Sequence, residues 1–148
     1  MNRSQRLAQL RGEMEAQRRT LDQKLRNAEQ RALEAEARRD ELQRYRDEYA
    51  NGFTARAAAG FAGAGLRDYQ AFLARLDEAV RQQCQLVLRA AAELEFERQR
   101  WRDAAVQVKA VEAVGARWDA EDQRAEQRRE QRNTDEHAMQ SIHARRSE

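Results

Sequence analysis

The stretch that decides the fold is Asn51-Gly52-Phe53-Thr54-Ala55-Arg56-Ala57-Ala58-Ala59-Gly60-Phe61-Ala62-Gly63-Ala64-Gly65-Leu66. It holds four of the six glycines of a 148-residue chain that contains no proline at all. Elsewhere only Gly12 and Gly115 interrupt sequence rich in Ala, Glu, Arg, Gln and Leu, a composition that favours long uninterrupted helix. Asn51-Gly52 is a pair suited to ending a helix in the left-handed conformation. The reading that follows is two helices, about 4–50 and 66–143, joined by a connection over about 51–65. At about 1.5 Å per residue the first would be about 70 Å long and the second about 110 Å. So proline-free a chain disfavours most β architectures, whose many turns need Gly, Pro, Asn and Asp.

Outward from that stretch, both segments carry a heptad repeat. Leu7, Met14, Leu21, Ala28, Ala35, Leu42 and Tyr49 occupy successive a positions, all apolar or aromatic. The d positions Gln17, Lys24, Arg31 and Arg38 are polar, and Leu25 and Ala32 at e supply the second row there. In the second segment the a row is Leu66, Leu73, Val80, Val87, Leu94, Trp101 and Val108. Its d row is Tyr69, Leu76, Gln83, Ala90, Glu97, Ala104 and Val111. One unbroken phase over so many heptads predicts a coiled-coil seam. Folding the chain back near residue 58 gives an antiparallel hairpin with Tyr49 near Leu66 and Tyr69, and Leu7 near Val108 and Val111. The expected fold class is therefore all-α, an antiparallel two-helix coiled-coil hairpin with an overhanging C-terminal helix, residues 1–148 forming one rod. Beyond Trp118 the apolar repeat fails, because Asp122, Arg129, Arg132 and Glu136 take the seam positions. That tail is expected to be a solvated helix, or one waiting for a partner.

Charge sets further limits. Lys and Arg total 28 and Asp and Glu total 26, and the signs alternate along the chain. A nucleic-acid surface concentrates its positive charge on one face, so the pI of about 9.0 is weak support for that role. Glu15/Arg19, Glu34/Arg38, Asp40/Arg44 and Asp77/Arg81 stand acid before base at i, i+4, each pair worth about 0.2–0.5 kcal/mol to a helix. The first residues, Met1-Asn2-Arg3-Ser4-Gln5-Arg6, lack the apolar core of a signal peptide, and one cysteine builds no disulfide framework. A cytoplasmic location is the expectation.

No catalytic constellation is visible. A two-helix rod encloses no substrate pocket, and neither a catalytic residue, a cofactor site nor a metal site is expected. His137 and His143 are six apart, on different faces of a helix and off the i, i+4 spacing of a metal pair. Cys84 borders the seam as a packing residue, and Glu121/Asp122 and Asp135/Glu136 lie on an open helix with nothing to tune them for proton transfer. Gly60, Gly63 and Gly65 run into Leu66-Arg67-Asp68 and lack the Lys-Ser/Thr of a phosphate loop. One set of residues exceeds what a bare seam needs. Arg38, Leu42, Tyr45 and Tyr49 repeat at helical spacing on the first helix, and Phe72, Leu76, Ala79 and Gln83 on the second. Phe72 and Ala79 are g positions just off the seam, so the strip reads either as core or as a protein-docking patch.

At these residues the chain resembles a known family. Tyr45-Arg46-Asp47-Glu48-Tyr49, the glycine-rich turn, Tyr69-Gln70-Ala71-Phe72-Leu73 and Leu76-Asp77-Glu78-Ala79-Val80 are similar to FliJ, the small coiled-coil protein of bacterial flagellar export. The likeness continues at Trp101, Lys109 and Glu112, at Glu130-Gln131-Arg132, and at Asp135-Glu136 and Ala138. Gln83, Thr134 and His137 depart from the pattern. The resemblance implies an antiparallel two-helix stalk that inserts into the hexameric flagellar export ATPase and promotes its assembly and activity. It also implies contact with the membrane export gate protein FlhA and recycling of flagellar export chaperones, at the inner membrane at the flagellar base. On that resemblance Arg38, Leu42, Tyr45, Tyr49, Phe72, Leu76, Ala79 and Gln83 would dock on the gate. Arg11, Arg18, Arg124, Arg128, Arg132, Asp135 and Glu136 would contact the ATPase ring. The equivalent stalk of an injectisome type III secretion system, and a plain spacer or dimerising coiled coil, are the competing readings.

Overall fold

The computed structural model describes residues 2–60 and 63–148. Two helices account for nearly all of them, α1 over Arg3–Ala58 and α2 over Gly63–Arg146, and no strand occurs among the described residues. They pack against each other as an all-α helical hairpin. None is long and apolar enough over any window to cross a membrane among the described residues.

Local chemistry explains the ends. Asn2 and Gln5 form a reciprocal cap: the Gln5 amide donates to Asn2 Oδ1 at 2.8 Å and the Asn2 amide donates to Gln5 Oε1 at 3.1 Å. This is the capping-box arrangement with amide side chains in place of Ser and Glu. Helix α1 runs eight residues past the expected stop, straight through Asn51 and Gly52. Gly52 costs about 1 kcal/mol relative to alanine inside a helix, but Phe53 beyond it is half-buried and tilts onto Tyr69 at 4.7 Å between ring centroids. The alanines that follow are the best helix formers, so the helix continues to where they end. There the last turn tightens, with the amides of Ala59 and Gly60 donating to the carbonyls of Arg56 and Ala57 at 3.1 and 3.3 Å. Gly60 has φ of 91°, the left-handed conformation assigned by sequence to Gly52. Helix α2 starts three residues before the expected Leu66. Of the expected connection over 51–65, positions 61 and 62 lie outside the described residues. At its far end, Ser147 Oγ donates to the His143 carbonyl at 2.8 Å, and Arg145 and Arg146 stand in the last turn where cations suit the helix dipole.

The chain forms two compact units, Gln17–Asp103 and Met1–Ala16 with Ala104–Glu148. In the Gln17–Asp103 unit the inward row of α1 is Leu21, Ala28, Ala35, Leu42 and Tyr49, accompanied by Leu25 and Ala32. Arg31 and Arg38 at d are exposed, so the second row does run along e. Helix α2 turns in its a and d positions, from Leu66 and Tyr69 to Leu94 and Glu97. Polar bonds tie the two helices across the seam. Arg46 Nε donates to Asp77 at 2.7 Å, Gln83 Nε2 to the Ala35 carbonyl at 3.0 Å, Arg31 to Glu93 at 2.6 Å, and Trp101 Nε1 to Asp22 at 2.5 Å. These pairs run antiparallel, and Arg46–Asp77, Arg31–Glu93 and Trp101–Asp22 place α2 about one heptad later against α1 than a fold at residue 58 gives, whereas Gln83–Ala35 and the expected Tyr49–Tyr69 contact lie within two residues of that register. The cause is the longer α1. The four expected i, i+4 ion pairs do not form: Arg38 turns to Glu41 and Arg81 to Glu78, while Asp77 is taken by Arg46. Exposed charges choose among near-equal partners a turn away, whereas the half-buried Asp77 is claimed by the opposite helix.

In the other unit Leu7 is buried over Gly115, one turn past the expected pair Val108 and Val111. A side chain at 115 would run into the Arg11 guanidinium and stand 2.9 Å from Leu7 Cδ2. Glycine is accepted inside α2 here because α1 approaches so closely. Arg3 fastens the end of α1 to α2, donating to Asp122 at 2.6 Å, to Glu121 at 3.0 Å and to the Trp118 carbonyl at 3.4 Å. The Asp122 and then the Glu121 hydrogen bonds hold the Arg3 guanidinium above its usual range, so it stays charged at any working pH. After the half-buried Ala125 every residue from 126 to 148 is exposed, although α2 remains helical to Arg146.

Candidate interaction surfaces

In the Gln17–Asp103 unit, the eight strip residues fall into four pairs. Tyr49 and Phe72 meet directly, with ring centroids 4.8 Å apart and tilted by 60°, and Tyr49 also stacks on Tyr69 at 4.2 Å. Such contacts add about 0.5–1.5 kcal/mol per pair beyond the area buried. Leu76 and Gln83 belong to the seam, Leu76 buried and Gln83 bonded to the α1 backbone. Leu42 and Ala79 are half-buried along its border. Arg38 and Tyr45 face outward, Arg38 paired with Glu41 at 3.1 Å and Tyr45 49% exposed. The outward surface of the strip is thus Arg38 and Tyr45, rimmed by Leu42, Phe72 and Ala79 and backed by the Tyr49–Tyr69 stack. Asp77, and then Asp47, hold Arg46 charged beside it by hydrogen bonding, raising it above its ordinary range.

The residues that the resemblance assigns to an ATPase ring lie elsewhere. Arg18 is exposed on α1 within the Gln17–Asp103 unit. Arg11 belongs to the other unit, its guanidinium laid over Gly115. Arg124, Arg128, Arg132, Asp135 and Glu136 are all exposed on the tail, where Arg128 Nε donates to the Arg124 carbonyl at 3.3 Å. The hollow beside His137, lined by Asn133, Glu136 and Gln140, is an open depression on one helix. Among the described residues no group of three His, Cys, Asp or Glu side chains could hold a metal ion. Cys84 is a half-buried free thiol.

Sequence reasoning missed the cross-helix polar ties. Asp22 and Trp101, or Arg46 and Asp77, become partners only in a register about a heptad later than a fold at residue 58 gives. The Asn2…Gln5 cap is legible as a polar residue followed three later by Gln, and it starts the helix at Arg3, one residue before the expected position 4.

Fold and surfaces together define a helical-hairpin protein that presents exposed side chains along its helix flanks and over residues 126–148 of α2. The sequence model of the family FliJ, described as flagellar FliJ protein, matches residues 2–147, and the chain belongs to that family. That makes it a component of the flagellar protein-export apparatus and fits a non-enzymatic role. No curated protein and no solved structure matches the chain.

Proposed function

We propose that this protein is the stalk of the flagellar export ATPase: its α2 tail enters the hexameric ring, promotes hexamer assembly and turnover, and links the ring to the export gate FlhA. The observation that carries the reading is the tail itself. More than twenty residues, 126–148, stay exposed on all sides in a helix that has no neighbour of its own. A helix open to solvent all round that also exposes Met139 and Ile142, 71% and 54% open, supports a role in meeting another protein. Mixed charge suits a ring lumen, since Arg124, Arg128 and Arg132 alternate with Glu126, Glu130 and Asp135 and surface pairs of this kind form and release at little cost. The gate would dock on the outward strip at Arg38 and Tyr45, with flagellar export chaperones recycled from the same protein at the cytoplasmic face of the inner membrane.

The test is an ATPase assay with the cognate export ATPase. The full chain is expected to raise turnover severalfold and to co-migrate with hexamers. A chain ending at Ala125, which keeps the Arg3 clasp on Glu121 and Asp122, is expected to lose both effects. Unchanged turnover at saturating full-length protein, with no co-migration, would overturn the stalk reading. On the gate side, Tyr45→Ala is expected to weaken binding to the cytoplasmic domain of FlhA about tenfold or more, as loss of an aromatic anchor does. Because Tyr45 is half out in solvent, helicity by circular dichroism should not change, and unweakened binding would remove the strip from the interface.

A further inference from the structure

One flank of the Gln17–Asp103 unit carries a second stripe that the seam does not use. On α2, Leu86, Arg89, Glu93, Phe96 and Arg100 follow one another by steps of three and four, the spacing that keeps residues on one face of a helix. The same steps run back through Gln82, Ala79 and Arg75 to Phe72, so the stripe extends about 42 Å along the helix at 1.5 Å per residue. Two of its large apolar members are open to solvent, Leu86 48% and Phe96 61% exposed, while Phe72 at its end is half-buried. Between them stand cations. Arg89 is exposed and takes no ion pair among the described residues. The Arg75 and Arg100 guanidinium carbons lie 5.8 Å from the ring centroids of Phe72 and Phe96. The one carboxylate in the stripe, Glu93, is already bound at 2.6 Å by Arg31 of α1.

The opposite flank has a different character. There Glu95 is held by Arg102 at 2.8 Å and by Arg98 at 4.0 Å, Asp77 is held by Arg46, and Leu88 is the large exposed apolar side chain. Its charges answer each other. On the Leu86–Phe96 side the positive charges outnumber the negative ones, and they flank apolar groups at helical spacing.

We propose that this flank is the docking face for a third helix, an acidic amphipathic helix supplied by another protein. Its apolar residues would cover Leu86 and Phe96, and its carboxylates would meet Arg75, Arg89 and Arg100, turning the two-helix seam locally into a three-helix one. The three-four spacing specifies a helix, because an extended strand has no matching period. The cations specify acidic. A second copy of this chain is disfavoured, since a two-fold contact through this flank sets an arginine stripe against itself. The face does not depend on the gate-docking reading: its centre, Leu86 to Arg100, lies outside that strip and meets it only at Phe72 and Ala79.

The experiment uses the full chain and two labelled amphipathic helical peptides of equal length and identical leucine face, one flanked by Glu and one by Lys. Fluorescence anisotropy is expected to show the Glu peptide bound at least about tenfold more tightly than the Lys peptide, with the difference shrinking as salt rises. Leu86→Ser with Phe96→Ser is expected to remove most of the Glu-peptide binding, and Arg75→Glu with Arg89→Glu to transfer the preference to the Lys peptide. All four positions but Phe72's neighbour Arg75 are clear of the strip, and Tyr45→Ala is expected to leave peptide binding unchanged, which separates this face from gate docking. Equal binding of the two peptides, absence of binding, or a preference that the charge swap leaves intact would overturn the proposal. So would sedimentation showing self-association that the serine variant abolishes. Circular dichroism on each variant checks that the hairpin is intact.

Discussion

Tyr69→Ala is expected to lower the unfolding free energy by about 3–5 kcal/mol, the range for removing a buried aromatic side chain. Tyr69 is 5% exposed, the centre of an aromatic cluster at one end of the Gln17–Asp103 unit. Its ring stacks on Tyr49 with planes 13° apart and touches Phe53, and Tyr49 in turn meets Phe72. These contacts join residues of α1 to residues of α2, so little else replaces them. Elsewhere the inward row is small, with Ala28, Ala32 and Ala35 in succession on α1, and alanines bury little area each. The loss should therefore be local as well as large: faster amide exchange at 45–58 and 63–76 before the rest of the helices respond. Urea denaturation followed by circular dichroism gives the total, with Leu88→Ala, at a position open to solvent, as a control expected within about 0.5 kcal/mol of the parent. A Tyr69→Ala variant as stable as that control would show that the cluster is ornament and that the polar ties hold the hairpin.

The hairpin, its heptad phase and the shift of the second α1 row to Leu25 and Ala32 were all readable in the sequence, because apolar spacing reports which side of a helix is turned inward. The register was readable only in part, at the Tyr49–Tyr69 contact beside the turn. Four glycines between 52 and 65 say that a turn is near without saying which of them leaves the helix, and local propensity at Asn51-Gly52 is worth too little to stop a helix whose next turn buries Phe53. That misplacement shifted the Arg46–Asp77 and Trp101–Asp22 pairs by about a heptad and hid those bonds, while Tyr49 meets Tyr69 as the spacing placed it. The strip was legible in part for the same reason. Spacing brought Tyr49 and Phe72 to one place, but only packing shows that Leu76 and Gln83 turn into the seam while Tyr45 turns out.

Glu97→Leu is expected to stabilise the protein. Glu97 stands at a d position, 9% exposed, and its Oε2 is buried with no hydrogen-bond partner. Its other oxygen is 3.9 Å from Arg100, too long for a strong charge-assisted bond. A buried acceptor left unsatisfied costs about 1–3 kcal/mol, more when charged, and a leucine there adds about 1.5–3 kcal/mol of apolar burial. Set against imperfect fit of the new side chain, a net gain of about 2–4 kcal/mol follows. At about 2–4 °C per kcal/mol for a chain near this size, the thermal midpoint should rise by about 5 °C or more. The register should not move, since the Arg31–Glu93 and Trp101–Asp22 ties bracket position 97 from both sides. Glu97→Gln removes the charge and keeps the polar burial, so it should fall between the parent and leucine. Differential scanning calorimetry on the three proteins decides it. A midpoint lowered by both substitutions would mean that the carboxylate is a net stabiliser of the seam. A rise with slower amide exchange over 21–35 and 87–101 would mean that the chain carries a carboxylate in its seam at the expense of stability, and that this stretch of the hairpin opens more readily than its length requires.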